Sequence, residues 1–510
     1  MAREYALKDK SVVVVIGSGA GGGTLSNELA QKGIDVVCLE AGTRLTLADV
    51  VNDPPTMHQR MSWHDKRIGI PAWLCKTVGG TTMRWSGISP RFQAHEFRAR
   101  TTYGNLEDTT LIDWPLTLDE LNPYYDKAES KMGVTGSHGI PPSAETNNFK
   151  VLKAGARKLG YKEITSTRNA INPVARDGRP GCRQIGFCNS GCVIGAKWST
   201  LYTEIPAAEQ TDHFELRANT MAIRINHDKQ GHVTGVVYAD ESGELHEQKA
   251  RAVCVAGNVV ETARILLNSA TSMFPQGLGN STDQVGRNYM RHMFGFAYAV
   301  MPKPVNFHRG TRQTGMVLDE QYHKPDRGFA GGYMIQTLGV DPHDLANLTG
   351  GWGEDAAEFL EQYTRIAGAF LVGEDPPQAT NRISLHPTER DQQGLPVPVL
   401  EYKNHPNTNV MRDHAIEQSR RIYASLGSTN FRGHAGPPVG CHNMGVARMS
   451  KSPEDGVTNR WGQTHDIDNL FVSDGSTFST STAGNPTLTI VALAIRQADH
   501  IAERMVQKTL

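Results

Sequence analysis

Apolar residues run unbroken over 12–16 and return over 36–39, in a second strand expected over 35–39, and between them a glycine-rich stretch leads into a segment where Leu25 and Leu29 share one helical face. Continuous β-branched runs of this length predict strands buried on both faces, and the intervening period predicts a helix, so the chain opens with a βαβ unit. Gly33 stands where the C-cap of that helix is expected. Further on, DWPLTLDELNPYYDKAES places Leu121, Tyr124, Tyr125 and Ala128 along a helix capped by Thr117. Residues 214–257 read as successive strands with a hairpin turn at 241–243. From about 300 to 430 short alternating segments such as NRISLHPTERDQQGLPVPVLEY predict an antiparallel sheet covering a substrate. A strand over 469–473 and a helix after Pro486, with Val491, Ala494, Ile495, Ala498 and Ile501 as its apolar stripe, close the chain. Asn485, directly before Pro486, reads as the N-cap of that helix.

These periods predict an α/β fold with α+β character. Residues 1–300 and 431–510 are expected to form a Rossmann-like domain with a loop and cysteine-cluster insertion at about 76–200, and residues 301–430 a substrate-binding domain. The length of 510 residues suits two or three domains.

Charge narrows the partners. Lys and Arg number 52 against 53 Asp and Glu, a net charge of -1, so no basic field invites nucleic acid or an anionic membrane. The first strand begins by Ser11, which leaves no room for a signal peptide, and no run approaches the 18 or so apolar residues of a transmembrane helix, so direct membrane insertion is not expected. Seven cysteines argue against a disulfide scaffold. Cys182, Cys188 and Cys192 cluster, whereas Cys38, Cys75, Cys254 and Cys441 are scattered.

The glycines of the opening unit carry chemistry. Gly17 permits a tight turn, Gly19 lets backbone approach a pyrophosphate, and Gly22 lets the helix pack close to the strand, while the helix N-terminus offers free N–H groups to phosphate. Glu40 ends the second strand, near the spacing of about 20 residues expected of a carboxylate that binds a ribose hydroxyl. This layout does not choose between NAD and FAD. Strands inserted as a meander favour a flavoprotein, and AVCVAGNVVETARILLNSA repeats the strand, glycine, helix order, which places Gly257 near the cofactor.

Six ordered segments resemble the glucose-methanol-choline (GMC) oxidoreductases: the Gly17 unit, VGGTTMRWSG, AGNVVETARILLNS, QVGRNYMRH, CHNMGVARM, and the DGS and NPTLT stretches near the C-terminus. The resemblance spans nearly the whole chain. It implies an FAD-binding domain of the glutathione-reductase type and oxidation of an alcohol to a carbonyl by hydride transfer to flavin N5. It assigns cofactor contacts to Gly79, Gly80 and Arg84 in VGGTTMRWSG, to Asp474 and Gly475, and to Pro486 and Thr487. An alcohol C–H donates hydride poorly until its O–H proton is leaving, so a base must reach the hydroxyl. His442 matches the family's catalytic histidine and Asn485 the second member of the pair, which is histidine or asparagine across the family. As readings of the residues alone, His442 is one of 19 histidines and Asn485 a helix cap. Glu374 is a candidate to orient one of the two. Some relatives bind flavin covalently through a histidine in the loop that here reads Met83, Arg84, Trp85, so noncovalent FAD is expected, with Arg84 a source of positive charge near the isoalloxazine.

Three thiolates on a short, glycine-containing loop suit a compact inorganic cluster, and three rather than four cysteines fit [3Fe–4S]. A zinc site completed by a distant histidine, a disulfide with one free thiol, and loop packing are the alternatives. The spacing is similar to that of catalytic subunits of bacterial FAD-dependent sugar dehydrogenases. That resemblance implies a sugar or glycoside substrate and electrons leaving through the cluster to a small subunit, a cytochrome or another acceptor. Because such a subunit can export its partner, cytoplasm and periplasm both stay open. An oxidase using O2 and a noncatalytic flavoprotein subunit are the competing functions.

Overall fold

The computed structural model describes residues 3–62, 72–349, 351–435 and 441–510. Its centre is a five-stranded parallel sheet ordered Leu470–Val472, Ala252–Val255, Val13–Ile16, Val36–Leu39, Phe214–Arg217. Val13 pairs with Val36 on one side and Ala252 on the other. Both faces of this sheet are covered, which is why its central strands are apolar without alternation. Val13 and Val15 pack with Leu25, Leu29, Ala494 and Ala498 of helices Ala20–Gln31 and Thr487–Val506. Val12, Val14 and Ile16 face the opposite way, against Val236 and Tyr238 of an antiparallel meander, Met221–His227, Val233–Ala239 and Leu245–Lys249.

The local signals of the first unit are realised. Gly33 adopts a left-handed φ of 75°, its N–H donating to the Ala30 carbonyl and that of Ile34 to Leu29, which closes helix Ala20–Gln31. Thr117 and Glu120 form a reciprocal capping box at the start of Leu118–Met132, and Leu121, Tyr125 and Ala128 are buried. The strands foreseen over 214–257 divide between two sheets. Phe214–Arg217 and Ala252–Val255 join the parallel sheet, and the three between them form the meander.

A six-stranded antiparallel sheet stands beside this body, ordered Thr429–His434, Met293–Val300, Ile366–Gly373, Tyr333–Thr337, Gly315–Val317, Ile164–Ser166. Helix Pro406–Ala424 lays Met411, Ala415 and Ile422 on one face of it, with Met293, Ala297 and Leu371. Strand alternation turns Phe294, Phe296 and Phe370 to the other face, into a cavity. The segment NRISLHPTERDQQGLPVPVLEY does form an antiparallel pair, Arg382–Arg390 with Pro396–Glu401. Its Ile383, Val397 and Leu400 pack on Val259, Val260 and Ala263 of helix Asn258–Asn268 instead of joining the larger sheet. Among the described residues no helix is long and apolar enough to cross a membrane.

Candidate active site

A cavity of about 470 Å³ extends from the turn after the first strand to the aromatic face of the antiparallel sheet. Gly17, Gly19, Glu40, Gly80, Arg84, Gly257, Asp474, Gly475, Pro486 and Thr487 all line it, together with His442 and Asn485. Gly22 and Gly79 stand behind the lining. A Cβ on Gly22 would lie 2.0 Å from the Gly17 carbonyl oxygen, so its absence sets how closely helix and strand approach. Gly79 donates its N–H to Ser18 Oγ at 3.0 Å.

The cradle fits a dinucleotide. Helix Ala20–Gln31 starts at Gly19 with no side-chain cap and no acidic residue in its first turn, leaving N–H groups and positive dipole for phosphate. Glu40 is held by Ser18, whose N–H and hydroxyl donate to Oε2 at 3.0 and 2.7 Å, and by the Gly42 N–H, 2.9 Å from Oε1. A carboxylate accepts about four hydrogen bonds, so one site is left for a ribose hydroxyl. Burial raises the Glu40 pKa, and these donors oppose it. Asp474 is fixed likewise, by the Ser476 N–H on Oδ1 at 2.8 Å and the Thr262 hydroxyl on Oδ2 at 2.6 Å. Asn258 lines the same cavity, and among the described residues its buried Oδ1 has no hydrogen-bond partner, an acceptor open to a ligand donor.

At the other end the fold joins two residues 43 positions apart: Asn485 Nδ2 lies 3.4 Å from His442 Nε2. That is a long hydrogen bond, as expected before substrate tightens the site. His442 occupies the left-handed region at φ 58°, an uncommon place for a side chain other than glycine. Burial pushes its pKa down to about 4, so the ring is neutral near pH 7 and free to accept a proton. Its Nδ1 is 2.8 Å from Nδ1 of His292. His292 is held well below the ordinary histidine range, by burial first and then by His442, while the Thr482 and Gly484 carbonyls act in the opposite sense. Two neutral rings can share that contact only if one Nδ1 carries the proton. Asn485 turns its Nδ2 donor to His442 Nε2, which accepts only when bare, so His442 carries its proton on Nδ1 and donates it to His292.

Asn485 does not cap the final helix. Pro486 takes the N-cap position of Thr487–Val506, and the Asn485 side chain turns to His442 and to Gln336, whose Nε2 donates to Asn485 Oδ1 at 2.8 Å. Glu374 contacts neither member of the pair. Its oxygens accept from the Tyr103 hydroxyl at 2.8 Å and from the Gly332 N–H at 2.9 Å, and its pKa is raised by burial.

Arg84 reaches the cavity from the 3-10 turn Gly80–Arg84. Its guanidinium stacks 4.3 Å over the Trp73 ring and bonds the Ser62 hydroxyl, His58 Nδ1 at 2.9 Å and the Asn189 carbonyl at 3.0 Å. Asn189 and Ser190, next to Cys188, also line the cavity, so the cysteine loop and the cofactor cradle share a wall. Lys197 ties the two together by donating to the carbonyls of Met83, Trp85 and Cys188 at 3.1, 2.7 and 2.6 Å. It is 2 % exposed, and burial lowers its pKa to about 8.

Cys182, Cys188 and Cys192 are free thiols, so the disulfide alternative does not hold. Gln184 and Phe187 take left-handed φ values of 53° and 58°, which wraps the loop tightly. The Gln184 N–H donates to Cys182 Sγ at 3.3 Å. Burial pushes the Cys188 thiol up, while Lys197 and the Arg312 N–H pull it down. Among the described residues the three sulfurs do not gather within 4.8 Å of one another as ligands of one ion would. Cluster ligands bind separate irons and need not crowd in this way. Arg84 and Lys197 are buried cations without a carboxylate in salt-bridge range among the described residues, and thiolate charge would balance them.

Sequence reasoning missed the support of the pair. His292 lay in QVGRNYMRH with no role attached, and Gln336, in an apolar strand, and Gln313, in a polar segment, carried no local signal. It also missed the aromatic wall, where Phe294 and Phe370 stack at 5.3 Å and Phe294 lies 5.6 Å from His442.

Known proteins resemble the chain over most of its length. Two family models described as GMC oxidoreductase match the chain, the N-terminal one over residues 70–294 and the C-terminal one over 377–494. The chain is 33% identical to a 2-methyl-1,2-propanediol dehydrogenase of Mycolicibacterium austroafricanum, over 97% of this chain and 96% of that protein. It is 28% identical to the fructose dehydrogenase large subunit of Gluconobacter japonicus, over 97% and 98%. Among solved structures a pyridoxine 4-oxidase from Mesorbium loti has the same fold, with a TM-score of 0.69 at 17% identity over 96% of this chain and 99% of that one.

Proposed function

The chain belongs to the GMC oxidoreductases, FAD-binding enzymes that act on alcohol and sugar hydroxyls, and on that footing we propose that it is a dehydrogenase oxidising a sugar or glycoside hydroxyl to a carbonyl. The observation that carries this reading is the meeting of His442 and Asn485 at 3.4 Å in the cavity that also holds the glycine-rich cradle. FAD, held noncovalently by Gly17, Gly19, Glu40, Gly80, Asp474 and Gly475, would supply the hydride acceptor. His442, neutral and with bare Nε2, takes the hydroxyl proton as the C–H bond weakens. Asn485 Nδ2 holds the substrate oxygen beside it. Phe294 and Phe370 offer a flat apolar face to the C–H side of a pyranose, and Gln313 and Asn347 are polar groups in the same lining. A noncatalytic subunit would have no use for a base placed this way.

We assign Cys182, Cys188 and Cys192 to a [3Fe–4S] cluster, which when bound would supply one-electron carriage toward an outside acceptor. The wall shared by the cysteine loop and the cradle supports this over an oxidase. The acceptor in this reading is a small subunit, a cytochrome or another carrier, and the compartment follows it: cytoplasm, or periplasm by co-export. The substrate-binding part is the six-stranded sheet with helix Pro406–Ala424; it draws Ile164–Ser166 and Met293–Val300 from outside residues 301–430 and leaves the pair Arg382–Arg390 and Pro396–Glu401 on the cofactor-binding part.

Anaerobic mixing with a panel of sugars and glycosides tests the proposal. Flavin bleaching with turnover only on adding a dye is the expected result. Rapid peroxide formation in air would make the protein an oxidase, and no bleaching with any alcohol would remove the enzymatic reading.

A further inference from the structure

A single-file set of hydrogen bonds leads into the pair. Gln313 Nε2 donates to Gln336 Oε1 at 3.0 Å, Gln336 Nε2 to Asn485 Oδ1 at 2.8 Å, and Asn485 Nδ2 faces His442 Nε2 at 3.4 Å. Gln336 is fully buried in strand Tyr333–Thr337, and Gln313 and Asn485 are 3 % and 5 % exposed. A primary amide presents an acceptor on one side and a donor on the other, and its direction is decided by its neighbours. Here the Gln313 amide occupies Oε1 of Gln336, which leaves the Gln336 donor for Asn485. That bond claims Oδ1 of Asn485 and turns its NH2 toward the bare nitrogen of His442.

We propose that Gln336 is a positioning residue that fixes the direction of the Asn485 amide, so that a donor rather than an acceptor faces the substrate oxygen. The inference rests on the proposed alcohol oxidation. The reversed amide would set Oδ1 against His442 Nε2, two acceptors in contact, and would meet the alkoxide-like oxygen with a lone pair. Gln336 touches neither substrate nor cofactor in this scheme. It acts through Asn485.

The test uses the full chain loaded with FAD and two substitutions, Gln336→Glu and Gln336→Leu. A glutamate of the same shape has only acceptors when ionised, so Asn485 must turn its NH2 toward it and away from His442. Once protonated, the carboxyl can again donate to Asn485 Oδ1. With Gln336→Glu the anaerobic flavin reduction rate at neutral pH is expected to fall about ten- to a hundredfold, with substrate affinity nearly unchanged, and to recover as pH is lowered. Gln336→Leu should be slow without that recovery. Equal rates for Gln336→Glu and the unsubstituted chain, or a deficit that does not change with pH, would overturn the proposal. A second measurement does not need turnover. The drop in melting temperature caused by Gln336→Leu should be clearly smaller in an Asn485→Ala background, where the bond it removes is already gone, and strict additivity would count against the coupling. If the unsubstituted flavoprotein is not bleached by any alcohol, the functional reading fails and the melting cycle still decides the role of Gln336.

Discussion

Arg84 donates through Nε to the carbonyl of Asn189, 3.0 Å away, and thereby holds the cysteine loop against the cofactor cradle. Replacing Arg84 by Met would leave the Asn189 carbonyl and the Ser62 hydroxyl without this donor in a buried place. Bonds to a charged group contribute about 1.5–3 kcal/mol each, so a drop in melting temperature of several degrees is expected. Iron content per chain should fall with it if the loop carries the cluster, and scanning calorimetry with an iron assay checks both.

His442→Ala removes the proposed base while leaving the cradle intact. Flavin reduction by substrate should slow by ~10² to 10⁴, with the visible flavin spectrum of the purified protein retained. An unchanged rate in stopped-flow would take His442 out of the mechanism.

The depressed pKa of His442 sets the direction of the pH dependence. The reaction needs the neutral ring, and burial carries its pKa down to about 4, so protonation disables it only in acid. The rate of flavin reduction should stay level from pH 8 to well below the usual histidine range and fall as pH passes down through about 4. A fall centred near 6.5 would mean that the ring is solvated in the working enzyme.

Glu40→Ala deprives Ser18 and the Gly42 N–H of their shared acceptor and removes the site left for a ribose hydroxyl. FAD affinity should drop by roughly ten- to a hundredfold, the loss of one to two charge-assisted hydrogen bonds. Titration of the apoprotein with FAD, followed by flavin fluorescence, measures it. Tight binding by the variant would place the ribose elsewhere.

Cys188→Ser tests the cluster separately from the flavin. Iron and acid-labile sulfide should be lost together with any low-temperature EPR signal, while the flavin is still bleached by substrate and transfer to dye slows. Full iron in this variant would return the loop to a packing role.

What the sequence revealed depended on how far each signal reaches. The Gly17 unit, the Thr117 cap and the Gly33 cap are local arrangements of backbone and side chain, and a few adjacent residues determine them. Alternation around Arg382–Arg390 announces a strand but not the surface on which it lies, and so the hairpin was expected over the substrate although it packs on helix Asn258–Asn268. Asn485 before Pro486 carries a strong local signal for a cap, overridden by a longer-range bond from Gln336. The His442–Asn485 pairing was legible only through the resemblance of two distant motifs. His292 and Gln336 were not legible at all, since a single polar residue in an apolar stretch looks the same whether it supports a catalytic group or satisfies the core.

The edge strand Leu470–Val472 completes the parallel sheet by pairing with Ala252–Val255, and Asp474, Asn485 and the closing helix follow it. A nascent polypeptide therefore emerges from the ribosome with its phosphate-binding turn made early and the opposite half of the same nest still unsynthesised. Coenzyme capture therefore waits for the strand Leu470–Val472 and the residues behind it, and the growing molecule must shelter an open apolar cleft until they arrive.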